Sequence, residues 1–272
     1  MAVYPFDWVD AFSDRPFAGN GCAVVHGGAV LDAKIAMAYV RETSLVECTF
    51  TGPSERADFH VRYFVAAREI PFAGHPTRAT VAALKARVMI KGQSVTLETG
   101  AGIVTVTLDG DLIEMTQIAP VFGPKPPLSL VAQSIRLSPE EILGTPQMVS
   151  TGLPFCITVL RDKAALRAAK LDIGAMERLT ETTGDFAGGG MAEPFLVTLG
   201  GESDGGDTFS RRILAPPSPP EDPFTGSATG AMAAYLWATG MMRKDQFIAE
   251  QGHWMQRPGW ARVTRVGPVD ER

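Results

Sequence analysis

The chain has 272 residues, 45% hydrophobic and 20% charged, a composition typical of soluble proteins with material for one large core or two smaller ones. Its net charge of -5, without a long run of lysine and arginine, excludes the sustained phosphate neutralisation that nucleic-acid binding needs. The N-terminus lacks the pattern of a signal peptide, and the longest weakly polar stretch, 230–242, is too short to span a bilayer, so we expect a cytoplasmic protein that binds no membrane.

The first half of the chain predicts strands around two helices. Asp32 is in a position to cap a helix from about Ala33 to Glu42. Small and apolar residues predict a second helix after the glycine turn at Gly74. β-branched and aromatic runs bounded by turn residues predict the strands, which are 3–12, 21–27, 46–50, 59–65 and three short strands within 94–117.

The second half repeats this order of elements. The proline-rich stretch 119–129 is the best candidate for a linker, which predicts an N-terminal lobe at 1–118 and a C-terminal lobe at 129–259. An alternative is that a C-terminal strand at 260–272 completes the first lobe. Within the second lobe the predicted elements are strands at 154–160 and 193–200, a helical stretch at 163–179, a glycine-rich loop at Gly188 to Gly190, and a helix after Gly226.

Two segments of the chain are similar to each other. Placing 71–86 above 223–238, at a constant offset of 152 (223 minus 71), gives eight identical residues in sixteen. The matching residues of the first segment are Pro71, Phe72, Gly74, Thr77, Ala79, Ala82, Leu84 and Ala86. We interpret the two segments as equivalent parts of two homologous lobes, each with a glycine turn that leads into a buried helix.

Each of these helices is expected to start just after its glycine. His75 and Ser227 would then be the capping residues, and Pro76 would lie at the first helical position, where its missing N–H has no cost. A helix start presents unbonded N–H groups and a positive dipole end. If the lobes pack face to face, the two starts would form a cleft suited to a small anionic substrate; the alternative is two ordinary helix starts that never meet.

Cysteines and histidines give no sign of a cofactor. Cys22, Cys48 and Cys156 are odd in number, far apart and outside any CxxC pattern, so buried free thiols are the preferred interpretation. The histidines lack metal-ligand spacing, and neither glycine-rich nucleotide motif is present. We expect no metal and no cofactor.

Five motifs in order along the chain resemble the PhzF-like phenazine-biosynthesis proteins, relatives of diaminopimelate epimerase and proline racemase. The motifs are DAFSDRPFAGNGCAVV at 10–25, RETSLVECTF at 41–50, VRYF and AGHPT within 61–77, EDPFTGSATG at 221–230, and EQG with a following RPG within 250–259.

The resemblance implies a diaminopimelate-epimerase-like α/β (α+β) fold, in which two homologous lobes each wrap a curved, mostly antiparallel sheet around a central helix, with the active site between them. It also implies a homodimer and a cofactor-free isomerase that moves a proton between carbon atoms of a small carboxylic acid. The namesake reaction, isomerisation of trans-2,3-dihydro-3-hydroxyanthranilate, is one candidate, and the substrate stays open.

The resemblance also implies which residues act. Related racemases carry a thiol before each glycine of the helix-start motifs, where this chain has Ala73 and Thr225, so two-thiol racemisation is excluded. Glu42 is matched to the catalytic glutamate, at a helix end where the dipole and partial burial would raise its pKa and suit it to proton transfer.

The other implied site residues divide into two groups. His75 and Asp222 are expected to orient the substrate and assist proton transfer, although His75 could be a plain cap and Asp222 a turn residue. The residues expected to line the substrate site, by holding a carboxylate or by matching further motifs, are Asn20, Ala73, Gly74, Gly226, Ser227, Gln251 and Gly252.

Two other functions remain open at this point. A serine hydrolase could be built on Ser227, His75 and Asp222, but TGSATG lacks the GxSxG elbow. A binding protein with the same cleft and no turnover is not excluded by any residue of the chain.

Overall fold

A computed structural model of the chain describes residues 2–110, 112–187 and 192–267. It has two compact units, the first comprising residues up to Thr116 with Pro216–Pro219, the second comprising Gln117–Ala215 and the residues from Pro220 onward. The glycine-rich loop expected at Gly188 to Gly190 lies outside the described residues.

The first unit contains an eight-stranded sheet and two helices. Along the sheet the order is β1-β2-β3-β4-β6-β7-β8, and β5 pairs with β4. The elements are β1 (Phe6–Ala11), β2 (Asn20–Val25), α1 (Ala33–Thr43), β3 (Cys48–Gly52), β4 (Phe59–Phe64), β5 (Glu69–Ile70), α2 (Gly74–Ala86), β6 (Ser94–Thr99), β7 (Gly102–Asp109) and β8 (Leu112–Glu114).

The second unit contains another eight-stranded sheet, in the order β16-β15-β13-β12-β11-β10-β9, with β14 paired to β13. Its elements are β9 (Val121–Phe122), α3 (Leu128–Ser134), β10 (Ile142–Ser150), β11 (Pro154–Leu160), α4 (Lys163–Ala168), α5 (Ile173–Thr183), β12 (Pro194–Leu199), β13 (Thr208–Ile213), β14 (Glu221–Asp222), α6 (Gly226–Ala238), β15 (Gln246–Gln251) and β16 (Gly259–Thr264).

The two sheets repeat the same pairings. Strands β1 to β7 correspond to β10 to β16, and each of the six pairings in the first set has a counterpart in the second with the same relative strand direction. The parallel pairings are β2 with β3 and β4 with β6 in the first sheet, and β11 with β12 and β13 with β15 in the second. The other pairings are antiparallel. The predicted pair of homologous lobes with mostly antiparallel sheets is confirmed.

One helix packs against a face of each sheet. In α2, Ala79 and Ala83 pack against β1 and β2, and Val81 packs against the core formed by β4, β6 and β7. In α6, Ala228 and Ala231 pack with aromatic and branched residues of β10, β11, β12 and β15. Small side chains allow the helix to approach the sheet closely, which explains why both segments are rich in alanine.

A bidentate ion pair also recurs in both units. Arg62 on β4 binds both oxygens of Glu69 on β5, at 2.8 and 2.7 Å, and Arg211 on β13 binds both oxygens of Glu221 on β14, at 3.0 and 2.8 Å. Each arginine uses its Nη1 to donate to two backbone carbonyls of its own unit. These pairs fix the short strand that precedes each central helix.

The boundaries differ from the predicted ones in three places. The segment 119–129 is part of the second unit, where β9 pairs with β10. Strand β16 pairs with β15 in the second sheet, so it does not complete the first lobe. The helical stretch expected at 163–179 is two helices, because Asp172 caps the second one by accepting from the N–H of Ala175.

Among the helices of residues 2–110, 112–187 and 192–267, none has the length and apolar character needed to cross a bilayer. Helix α6, which includes most of the weakly polar stretch 230–242, has 13 residues and is largely covered by its own sheet.

Candidate functional site

The first unit brings three polar side chains together at the start of α2. His75, the second residue of the helix, is 4% exposed, and its Nδ1 atom lies 3.3 Å from Asn20 Nδ2 and 3.3 Å from Glu47 Oε2. Asn20 begins β2, and Glu47 immediately precedes β3. Since the Glu47 side chain is only 13% exposed, this is a largely buried group of a base, a carboxyl and an amide.

The position of His75 Nδ1 between a donor and an acceptor gives the group two arrangements. An amide nitrogen only donates, so a hydrogen bond from Asn20 requires Nδ1 without a proton. An ionised carboxylate only accepts, so a bond to Glu47 requires a protonated Nδ1. The two arrangements differ by the position of one proton, which is the property that a general acid and base needs.

The start of α2 has no side-chain cap. Its N-cap residue is Ala73, whose backbone is extended and whose side chain cannot accept a hydrogen bond. The buried Ala73 and Gly74 therefore leave the first helical N–H groups to be satisfied by something other than a capping side chain. The expectation that His75 is the cap is wrong, because the helix begins at Gly74 and the side chain of His75 contacts Glu47 instead.

Glu42 lies elsewhere in the same unit. It is the penultimate residue of α1, and its side chain is exposed, so the expected partial burial is wrong. Five residues further along the same motif, Glu47 is the carboxyl that the structure places beside His75. A role for Glu42 in proton transfer stays a prediction, and among the described residues no contact with His75 supports it.

The second unit forms a matching group at the start of α6. Asp222, 2% exposed, accepts a 2.6 Å hydrogen bond from Thr225 Oγ1, and Arg212 Nη1 lies 3.6 Å from it. The Gln251 side chain accepts from the N–H of Thr225 at 3.0 Å and donates to the carbonyl of Asp222 at 2.6 Å. Gln251 thus fixes strand β14 to the helix start.

Of the remaining predicted residues of the second unit, Gly226 and Ser227 lie in the first turn of α6, and Gly252 follows β15 beside Pro223. The N-cap of α6 is Thr225, not Ser227, and Thr225 makes no capping hydrogen bond because its hydroxyl is bonded to Asp222. Gly226 is buried, and Ser227 is partly exposed. Gly252 has a φ of +83°, and a Cβ there would meet the carbonyl oxygens of Arg257 and Pro223 at 2.4 and 2.5 Å, so only glycine fits.

The carboxyl beside His75 also has a counterpart in the repeat. Glu193 immediately precedes β12, as Glu47 precedes β3. Glu193 Oε2, however, accepts a 2.8 Å hydrogen bond from Arg212, whose guanidinium also lies near Asp222. The second unit therefore holds its equivalent carboxyl in an ion pair with an arginine.

Sequence reasoning missed Glu47, Glu193 and Arg212. A signal for Glu47 was present in strand alternation: Cys48 packs toward α1, whereas Thr49 accepts from Thr80 of α2. Residues two apart on a strand share a face, so Glu47 lies on the side of Thr49 and α2.

The cysteines are all buried and unpaired, as predicted. Burial raises the pKa of Cys48 to about 11 and that of Cys156 to about 12, and it raises the pKa of Cys22 well above its ordinary value. None of these thiols is ionised near neutral pH, so none supplies the base that Ala73 and Thr225 lack.

We expect the native chain to resist thiol reagents. At pH 8, Ellman's reagent should modify less than about 0.1 equivalent within minutes, because the thiolate fraction at a pKa of 11 is only about one in a thousand. The same protein in guanidinium chloride should release colour from all three cysteines. Rapid reaction of one native cysteine would show that its side chain is accessible and ionised.

Comparison with known proteins agrees with this architecture. The family model described as phenazine biosynthesis-like protein (PhzC-PhzF) matches residues 9–272. The uncharacterized isomerase YddE of Escherichia coli O157:H7 is 31% identical over 274 residues, covering 94% of this chain and 88% of that protein.

Solved structures are also similar to this chain. The phenazine biosynthesis protein of the PhzF family from Bacillus anthracis superposes with a TM-score of 0.85 at 25% identity, covering 97% of this chain and 91% of that one. The predicted epimerase PA4716 from Pseudomonas aeruginosa superposes with a TM-score of 0.80 at 29% identity, covering 99% and 93%.

Two curled sheets, each around a central helix, define a fold that this chain shares with PhzF proteins and proline-racemase-like epimerases. The chain belongs to the phenazine biosynthesis-like (PhzC-PhzF) family, as its motifs indicated. The names YddE, an uncharacterized isomerase, and PA4716, a predicted epimerase, support an isomerase of the PhzF type, and neither name specifies a substrate.

Proposed function

We propose that this protein is a cofactor-independent isomerase that moves a proton between carbon atoms of a small carboxylic acid, with Glu47 as the general acid and base. The observation that carries the proposal is the 3.3 Å contact between Glu47 and His75 at the uncapped start of α2. A carboxyl in this position can take a proton from carbon and return it, while His75 and Asn20 adjust their hydrogen bonds to its charge.

The helix start supplies the second part of the proposal. Backbone N–H groups at an uncapped helix N-terminus favour an anion, and a substrate carboxylate held there has its α and β carbons close to the helix start. Holding the reacting carbon near the base contributes to the rate independently of the acid and base chemistry. Two roles in the second unit stay predictions: Asp222 on β14 assists proton transfer, and Ser227 on α6 holds a carboxylate.

The test is solvent exchange. The protein is incubated in D2O with a panel of small carboxylic acids that includes trans-2,3-dihydro-3-hydroxyanthranilate, and loss of carbon-bound hydrogen signals is followed by proton NMR. We expect at least one acid to lose a hydrogen α or β to its carboxylate, or to rearrange. Thermal stabilisation by acids that never exchange would instead support the non-catalytic binding protein. The absence of both thermal stabilisation and exchange with every acid of the panel would contradict the proposal.

A further inference from the structure

Arg78 is a partly buried cation on the same helix as His75. It lies three residues after His75 on α2, and its guanidinium carbon is 4.9 Å from the centre of the Phe12 ring. Phe12 directly follows Ala11, which pairs with Asn20 across β1 and β2. The Arg78 guanidinium therefore contacts the residue that follows the pairing partner of Asn20, and Asn20 itself contacts His75.

One nitrogen of the guanidinium lacks the hydrogen-bond partner that a buried polar atom normally has. Its Nη1 atom is buried and has no hydrogen-bond partner within the described part of the chain. Burial lowers the pKa of Arg78 to about 10, because removal from water disfavours the charged form. At neutral pH the side chain is still a cation, and an unpaired buried cation costs stability unless an anion joins it. Part of the side chain still reaches solvent, so a ligand has access.

The repeat shows how the other unit fills the equivalent place. Gly230 of α6 matches Arg78 at the offset of 152, and a Cβ on Gly230 would lie 1.8 Å from Gln117 Oε1. The Gln117 amide donates to the carbonyl of Gly226 at 2.9 Å and accepts a hydrogen bond from Thr151, which follows β10 as Phe12 follows β1. A side chain in this place therefore reaches the first turn of the central helix.

The two units treat this position in opposite ways. In the second unit, a neutral amide satisfies its hydrogen bonds with protein groups beside the helix start. In the first unit, a charged guanidinium occupies the corresponding place and its Nη1 is unsatisfied by the residues that the structure describes. The five N–H donors of a guanidinium form a planar fork, and the anions found on metabolites that match this geometry best are carboxylate and phosphate.

We propose that Arg78 binds a second carboxylate of the substrate, so that the protein acts on dicarboxylic acids. This inference rests on the proposed function in one respect, which is that the substrate binds beside His75. Arg78 is about 4.5 Å further along the helix axis than His75. One carboxylate at the helix start and another on Arg78 are therefore separate groups of one small molecule, and Arg78 determines specificity without taking part in proton transfer.

The test uses acids that differ by one charge. Binding of succinate and succinamate, and of glutarate and glutaramate, is measured by calorimetry to the wild type, to Arg78→Leu and to Arg78→Lys. We expect each diacid to bind more tightly than its half-amide, and Arg78→Leu to weaken only the diacids, by about 10- to 100-fold, the loss of a charge-assisted hydrogen bond. Arg78→Lys should retain part of the preference. Arg243→Leu, which removes an exposed arginine, is the control and should change nothing.

A stability measurement separates binding from packing. Without ligand, Arg78→Leu should melt at the same temperature as the wild type or higher, because an unpaired buried cation is replaced by an apolar group. A melting temperature lowered by several degrees would show that Arg78 is a packing residue and would overturn the proposal. So would equal binding of diacids and half-amides to the wild type. A diacid preference that depends on Arg78, together with no deuterium exchange in any acid, would leave this inference standing and reject the isomerase.

Discussion

Glu47→Gln is expected to lower the rate of solvent-deuterium exchange into the reacting acid by about a thousandfold, in the middle of the range for removal of a general acid or base. Glutamine keeps the size of the side chain and can still hydrogen bond to His75, 3.3 Å away, but it cannot take a proton from carbon. The exchange rate of an acid that responds to the wild-type protein is measured by proton NMR at equal protein concentration.

Glu42→Gln is the matched control for this change. It makes the same substitution five residues earlier, on the exposed end of α1. The exchange rate should stay within about twofold of the wild-type rate, because a substitution at an exposed position usually has little effect. The reverse result, with Glu42→Gln inactive and Glu47→Gln active, would restore Glu42 as the catalytic carboxyl. Unchanged melting temperatures in both variants would show that neither result reflects unfolding.

Gly19→Ala is expected to lower the free energy of unfolding by about 3 kcal/mol, the sum of a left-handed backbone and a steric overlap. Gly19 has a φ of +56°, and a Cβ on it would lie 2.1 Å from the carbonyl oxygen of Ala11 and 3.1 Å from the backbone of Phe12. Both neighbours are main-chain atoms, of the last residue of β1 and of the residue after it, and Ala11 pairs with Asn20, so neither can move aside without disturbing that pairing.

Gly110→Ala separates the two contributions. Gly110 has the same φ of +56°, but apart from its own backbone and its chain neighbours no atom of the described residues lies within 4 Å of the place that a Cβ would take, so only the backbone cost of about 1 kcal/mol applies. Urea unfolding of both variants measures the difference. Equal losses in the two variants would mean that the turn after β1 relaxes around the new methyl group.

The two-lobed architecture could be predicted because the two similar segments share glycine and alanine residues at matching positions. Gly74 and Gly226 sit at the same place in two alanine-rich segments, and that identity predicted two lobes with a buried helix in each. The starts of those helices were harder to predict. Sequence signals for a helix start rely on a capping side chain, and Ala73 and Thr225 provide no capping hydrogen bond.

Strand β10 was missed for a physical reason. Gly144 and Pro146 interrupt its apolar pattern, and in the structure they lie at the irregularity between Leu143 and Gln147 where the pairing with β11 shifts. Proline and glycine are tolerated in a strand at such a shift, so a broken pattern can still be one strand.

The catalytic candidate could be found only in part. The motif RETSLVECTF holds two glutamates, and the end of the predicted helix favoured Glu42 on local grounds. What distinguishes Glu47 is a contact with His75, far away in sequence, which exists only because β3 lies beside α2. Local periodicity indicates a face of a strand, but not which distant residue covers it.

The Arg–Glu ion pairs, and the carboxyls that precede the third strand of each unit, show which features the two halves share and where they differ. Each half has the bidentate ion pair, Arg62 with Glu69 in the first and Arg211 with Glu221 in the second, which stabilises the scaffold. At the carboxyl, the copies diverged in chemistry: one places it beside a histidine, and the other neutralises it with Arg212. The two halves are therefore no longer interchangeable, and a chain built from two copies of the second half would keep the fold while losing the carboxyl–histidine pair.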